Sequence, residues 1–112
     1  MYKRLLSQEP FLHLLAKSSS KRRKNLLHQA TKEELTALFE ICLNIIKGNI
    51  PLTAKQLKTL KHHRQIIRQL ANKKKSFKSK KKIVSQKGGA IGAVAGTVAK
   101  LVLPLLASLL QK

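Results

Sequence analysis

The sequence predicts an all-α fold: a small helical bundle, in which short N-terminal helices brace a helical hairpin, followed by a basic helix and a hydrophobic C-terminal helix. Three observations predict it. Apolar residues recur at three- and four-residue spacing through much of the first 71 residues. Helix-capping patterns stand before two of these stretches. At 112 residues the chain has room for one small domain, and only part of it is patterned to enter a core.

The N-terminal segment begins with a short predicted helix that ends near Lys17. Ser7 is expected to cap this helix, with Glu9 and Pro10 in its first positions. Its apolar stripe contains Phe11, Leu12, Leu14 and Leu15.

A second short helix is predicted from Lys21 to Ala30, with Ser20 as its cap. Its first turn carries a basic cluster, Lys21, Arg22, Arg23 and Lys24. The helix dipole disfavours cations at this end. The cluster therefore indicates either a partner anion or a tolerated, solvated face.

The clearest predicted helix follows Thr31. Thr31 and Glu34 have the spacing of a capping box, and Gly48 supplies a C-terminal stop. Between them, apolar residues recur at helical spacing: Leu35, Leu38, Phe39, Cys42, Ile45 and Ile46.

A further helix is predicted from Thr53 to about Ala71. Pro51 prevents the preceding helix from continuing, and Thr53 with Gln56 repeats the capping-box spacing. The apolar face contains Leu57, Leu60, Ile66, Ile67 and Leu70. Because the connection is short, the two helices are expected to pack as an antiparallel hairpin.

The next segment is dominated by lysine. Ser76 is a suitable cap for a short helix through Gln86, with Phe77, Ile83 and Val84 as its apolar anchors. Repulsion among the lysines makes this helix conditional on counterions or a partner.

The apolar tail runs from Gly88 to Leu110. As a helix it would span roughly 34 Å, enough to cross a hydrocarbon layer of about 30 Å. Its aliphatic residues would gain about 3 to 6 kcal/mol on insertion, and Lys100 would cost about 2.5 to 3.5 kcal/mol. Glycines at four-residue spacing form a stripe on which another helix can pack. The residues predicted for membrane contact or helix packing are Gly88, Gly92, Gly96, Val98, Leu101, Leu105 and Leu109.

Composition divides the chain into three segments: a helical domain (1–71), a lysine-rich linker or conditional helix (72–87) and the glycine-striped tail (88–112).

The net charge of the chain indicates the class of its partner. The chain has 24 Lys and Arg against four acids, and the net charge is +20. All four acids lie before residue 41, so the later cations have no carboxylate near them in sequence. A polyanion is expected, either nucleic acid, with double-stranded DNA the first candidate, or anionic lipid. The predicted nucleic-acid-binding residues are Lys21, Arg22, Arg23, Lys24, Lys73, Lys74, Lys75, Lys78, Lys80, Lys81, Lys82 and Lys87.

The sequence offers no pattern for catalysis, metal binding or a cofactor. The single cysteine, Cys42, excludes an internal disulfide and fits a reducing compartment. The four histidines lack metal-ligand spacing, and no nucleophile has an identifiable base and orienting group. The N-terminus lacks the apolar core of a cleavable secretory signal, so a non-secreted protein is expected.

The order of these features resembles a family. A helical segment with the residues Lys-Gly-Asn-Ile-Pro-Leu at 47–52, a lysine block, and Gln-Lys-Gly-Gly at 86–89 precede an apolar end. This arrangement, from roughly Ser18 onward, resembles the small basic virion or core-type proteins of adenovirus-like DNA viruses and of Polinton and adintovirus elements. The resemblance implies a virion component located in the virion and in the host nucleus or cytoplasm, comparable to DNA-associated core peptides or to a membrane-active internal protein.

The glycine pair also resembles the sites of the adenovirus-type maturation protease. That likeness implies a cut after the pair Gly88–Gly89, between Gly89 and Ala90. Gln86 stands where the usual pattern favours an aliphatic residue.

Three functions follow as hypotheses. The first is a non-enzymatic virion protein that binds or condenses DNA by sequence-independent phosphate contacts. The alternative is a membrane-active or membrane-anchored peptide whose tail inserts into or lyses membranes. The third is a host regulatory protein with a tail-anchored helix. In any of these the tail can also self-associate or occupy a groove of a capsid protein.

Overall fold

The computed structural model describes residues 2–86 and 88–110, and within these ranges every regular element is a helix. The all-α prediction is confirmed. The eight helices are α1 (Tyr2–Ser7), α2 (Glu9–Lys17), α3 (Ser20–His28), α4 (Lys32–Ile46), α5 (Ala54–Lys61), α6 (Arg64–Ala71), α7 (Phe77–Gln86) and α8 (Gly88–Leu110).

Both predicted capping boxes are present. The side chain of Thr31 accepts a hydrogen bond from the Glu34 backbone N–H at 3.1 Å, and the Glu34 side chain accepts one from the Thr31 N–H at 2.9 Å. Thr53 and Gln56 make the same pair at the start of α5. Each box satisfies two donors that the first helical turn leaves without partners. Gly48, with φ +75°, follows α4 in a backbone conformation that favours glycine.

The N-terminal boundaries differ from the prediction. Ser7 does not cap α2, because it ends α1, where its hydroxyl donates to the Arg4 carbonyl at 2.7 Å. Ser19, rather than Ser20, caps α3, and that helix ends at His28 instead of Ala30. Successive serines are equivalent caps in sequence, so packing against neighbouring helices selects between them.

The helix predicted from Thr53 to Ala71 is interrupted. It forms α5 and α6, separated at His62 and His63. The apolar stripe has a gap here, since no apolar side chain lies between Leu60 and Ile66. The main contact with α4 is made by α6, not α5. The break therefore lets α6 follow α4 while α5 turns away.

The C-terminal helix α8 is central to the core. It packs on α2 and α3 and also contacts α4. Its buried side chains include Ile91, Val94, Val98, Val102 and Leu106. The radius of gyration is 12.8 Å, close to the value of about 13 Å for a compact domain of this length. One hydrophobic core therefore takes residues from all three compositional segments.

Two residues of α8 that would be costly on its buried face, a lysine and a proline, lie on its exposed side. Lys100 and Pro104 are both exposed, four residues apart on one face. Proline lacks the N–H that would bond to the Lys100 carbonyl, and on this side water can satisfy that carbonyl. Neither residue therefore disturbs the buried face.

Candidate nucleic-acid interface

The lysine-rich segment forms α7, which is anchored by a few apolar side chains. Ser76 caps it, accepting a hydrogen bond from the Ser79 N–H at 3.1 Å. The Phe77 ring packs on the Phe39 ring with centroids 5.9 Å apart. Val84 is buried and Ile83 half-buried. These contacts turn one side of α7 toward the core and leave the rest in solvent.

The described lysines of α7 and the preceding turn divide into two groups. Lys80 is half-buried, with its Nζ 5.5 Å from the centroid of the Phe39 ring, and desolvation lowers its pKa. Lys75 is also half-buried. The remaining lysines are exposed: Lys73, Lys74, Lys78, Lys81 and Lys82. Lys87 lies outside the described residues.

The basic cluster of α3 divides in the same way. Lys21, Arg22 and Lys24 are exposed. Arg23 turns inward, where its Nε donates to the Leu15 carbonyl at 2.6 Å and its Nη2 donates to the Ala16 carbonyl at 3.2 Å. These carbonyls belong to the last turn of α2, so Arg23 caps that helix with two of its donors.

The two basic segments lie on neighbouring helices, because α3 contacts α7 as well as α8. Tertiary structure thus places two basic helices side by side, although they are about fifty residues apart in sequence. We give the name α3–α7 face to the exposed cations of these two helices and of the turn before α7: Lys21, Arg22, Lys24, Lys73, Lys74, Lys78, Lys81 and Lys82.

Carboxylates do not neutralise this face. Within the described ranges, the Lys and Arg side chains make one ion pair, between Arg4 and Glu40 at 3.2 Å. Like charges instead meet at its edge, where the neighbouring Lys73 ammonium lowers the pKa of Lys47. Phosphate would relieve this crowding.

A second basic surface was missed as a candidate from the sequence. Exposed cations follow the outer sides of α5 and α6: Lys55, Lys58, Lys61, Arg64 and Arg68. The sequence feature that could have predicted this surface is the one used for α7: no acidic residue follows Glu40.

The predicted glycine stripe meets a helix of the same chain. Gly92 and Gly96 are buried beneath α3. A Cβ at position 92 would lie 3.3 Å from the Ser20 carbonyl oxygen, and one at position 96 would collide with the Arg23 guanidinium. The close approach that a small-residue stripe permits is therefore realised by α3.

The other residues predicted for the tail have mixed positions. Val98 and Leu101 are buried, whereas Leu105 and Ala90 are half-buried. Gly88, Gly89 and the side chain of Leu109 lie outside the set whose burial is described. Among the described helices, α8 is long and apolar enough to cross a membrane over Ala90–Ser108, with mean hydropathy 1.9. The core helix of a soluble protein meets the same criterion, and 56% of this window is buried.

The described part of the chain offers few groups for catalysis or metal binding. Cys42 is fully buried, and burial raises the pKa of its thiol to about 12. Such a thiol is a packing residue rather than a nucleophile. The described His, Cys, Asp and Glu side chains form no group of three that could hold a metal ion.

Comparison with known proteins gives no match to a protein-family model, a curated protein or a solved structure. The class that fold and charge define is a small, strongly basic, all-α protein.

Proposed function

We propose that the chain is a non-enzymatic protein that binds double-stranded DNA through phosphate contacts from the α3–α7 face. One observation supports this proposal above the others: exposed cations of two sequence-distant segments lie on adjacent helices or in the turn before α7, and the described carboxylates pair with none of them.

The mechanism is counterion release. Lys78, Lys81 and Lys82 share one side of α7, since residues three and four apart neighbour each other on a helix. Each lysine that reaches a phosphate displaces a condensed cation from DNA. A lysine ammonium is a point charge without the planar fork that reads base edges, so binding is largely independent of sequence.

The test is a salt titration of binding to a random-sequence duplex, measured by fluorescence anisotropy. The wild-type affinity should fall steeply between about 50 and 200 mM salt. Replacing Lys78, Lys81 and Lys82 by glutamine should reduce the slope of log affinity against log salt by about 0.9 for each phosphate that is no longer bound, close to 3 in total.

The matched control replaces Lys55, Lys58 and Lys61 of α5 by glutamine. It removes the same charge from another surface and should change the slope less. Equal reductions of the slope for the two triple variants would contradict the α3–α7 assignment, and binding that ignores salt would contradict the mechanism.

The virion setting rests on the family resemblance. Capsid and protein-primed polymerase genes beside this gene would support it, and an ordinary cellular gene neighbourhood would oppose it.

A second candidate, membrane activity, is favoured by the length and hydropathy of α8. Insertion would require α8 to leave α2 and α3 and expose the core side chains beneath it, including Leu12, Leu15 and Leu27. Membrane activity would therefore belong to a second, opened state of the chain, whereas DNA binding is available to the closed one.

A further inference from the structure

The break between α5 and α6 leaves an aliphatic groove on the surface. It lies between the C-terminal end of α4, the following loop and the two helices, with a volume of about 270 Å³. Leu60 and Ile67 are buried at its base, and Leu52 and Ile45 are half-buried beside them. We call this the α4–α5–α6 groove.

Two large aliphatic side chains line this groove without being covered. Ile46 is 50% exposed and Leu57 is 46% exposed. Leu14, at 45%, is the other large hydrophobic residue with such exposure in the described chain, and it does not line the groove. Adjacent exposed aliphatics around a concave surface are typical of an interaction site.

The rim of the groove is basic. Lys61, Arg64 and Arg68 line it and are exposed. All four acids of the chain precede residue 41, and no acid lines the groove. A partner must therefore bring both an apolar surface and negative charge. A second copy of this chain, at net charge +20, would bring repulsion instead.

From this combination we propose that the α4–α5–α6 groove binds the apolar face of an acidic amphipathic helix of another protein. Aliphatic side chains at i, i+4 and i+7 of such a helix would contact Ile46, Leu57 and the buried base. Its flanking carboxylates would meet Lys61, Arg64 and Arg68. The site is separate from the α3–α7 face, and the proposal stands whether or not that face binds DNA.

The concave shape argues for a helix rather than a lipid surface. The apolar base of the groove, formed by Leu60 and Ile67, is recessed between helices. A bilayer is met instead by apolar side chains that protrude furthest from the protein.

The experiment uses the full chain and a fluorescent helical peptide with leucine at i, i+4, i+7 and i+11 and glutamate on its other faces. Anisotropy should show binding to the wild-type chain. A peptide of the same composition, with its leucines spread around the helix, should bind at least tenfold more weakly. Equal binding of the two peptides would show mere charge attraction and overturn the proposal.

Matched variants locate the site. Ile46→Ser and Leu57→Ser should each weaken peptide binding about five- to tenfold, while Leu14→Ser, equally exposed elsewhere, should leave it unchanged. Because all three side chains are about half exposed, serine leaves the buried core in place, and circular dichroism checks that each variant is folded. An equal weakening with Leu14→Ser would overturn the assignment.

Charge reversal tests the rim. Arg64→Glu with Arg68→Glu should weaken peptide binding more than tenfold, whereas Lys78→Glu with Lys82→Glu on α7 should have little effect at about 0.15 M salt, where charges are screened beyond roughly 8 Å.

The last experiment measures binding of the chain to phosphatidylserine vesicles. If vesicle binding falls with Leu57→Ser while the peptide does not bind, the groove faces lipid and the proposal is wrong.

Discussion

The guanidinium of Arg23 occupies the space that a side chain at Gly96 would need. A Cβ built at position 96 would lie 2.6 Å from Arg23 Nε and closer still to other guanidinium atoms. The same guanidinium donates to carbonyls of the last turn of α2. One arginine thus connects three helices, and the glycine makes the connection sterically feasible.

This contact predicts how alanine at position 96 behaves. Alanine favours a helix over glycine by about 1 kcal/mol, but the methyl group would displace Arg23 from its carbonyls, at a cost of about 1 to 3 kcal/mol. We expect Gly96→Ala to lower the free energy of unfolding by about 1 kcal/mol, measured by urea denaturation. In an Arg23→Ala background the same change should raise it by about 0.5 to 1 kcal/mol. The same effect in both backgrounds would show that the two residues are not coupled.

Neighbouring arginines of α3 should behave in opposite ways. Arg23→Gln leaves the Leu15 and Ala16 carbonyls without these donors and should cost about 1 to 3 kcal/mol of stability. Arg22 is exposed, so Arg22→Gln should change stability by less than about 0.5 kcal/mol but reduce the salt slope of DNA binding by about 0.9. Denaturation and the anisotropy titration measure the two effects. If the folded Arg23→Gln variant lost more DNA affinity than the Arg22→Gln variant, the assignment of Arg23 to stability and Arg22 to DNA binding would be contradicted.

Cys42 predicts an alkaline loss of stability. Its pKa is about 12 in the folded chain against an ordinary 9.0, so between these values only the unfolded state releases the thiol proton. The unfolded state then binds fewer protons, and stability falls as pH rises, by about 1.4 kcal/mol per pH unit for this group. Below pH 9 this contribution is fully retained. Lysine titration should largely cancel in a comparison with Cys42→Ala, and wild type should lose stability relative to that variant above pH 9. Parallel pH profiles for the two chains would contradict the effect of burial.

A disulfide between α3 and α8 should separate the two candidate functions. A Cβ at position 92 would lie 3.7 Å from the Arg23 Cβ, within the range that disulfides occupy. We expect the double variant Arg23→Cys, Gly92→Cys to bind DNA in both redox states, because both can adopt the closed state. The oxidised disulfide holds α8 in that state, over the core. Membrane activity requires α8 to open, so dye leakage from anionic vesicles should occur only after reduction.

The reduced form of the same variant is the control for the removal of the arginine. Leakage from the oxidised form would show that α8 need not leave the core, and absence of leakage from wild type and from both forms of the variant would remove the membrane candidate.

The sequence by itself determined the helical class and the best-defined boundaries. The capping boxes at Thr31 and Thr53 were predictable because their hydrogen bonds join residues three apart, and no distant part of the chain is needed to make them. The apolar anchors of α7, Phe77, Ile83 and Val84, were predictable for a related reason, since they are the few apolar residues among lysines.

Tertiary structure decided the rest. Composition marks the C-terminal helix as apolar but does not say whether lipid, another protein or its own chain covers it, because burial of apolar surface is non-directional. Packing against α2 and α3 answers this for the folded chain and places Lys100 in solvent. The inward turn of Arg23, the break at His62–His63 and the groove beside it depend on contacts between residues far apart in sequence, which local patterns do not encode.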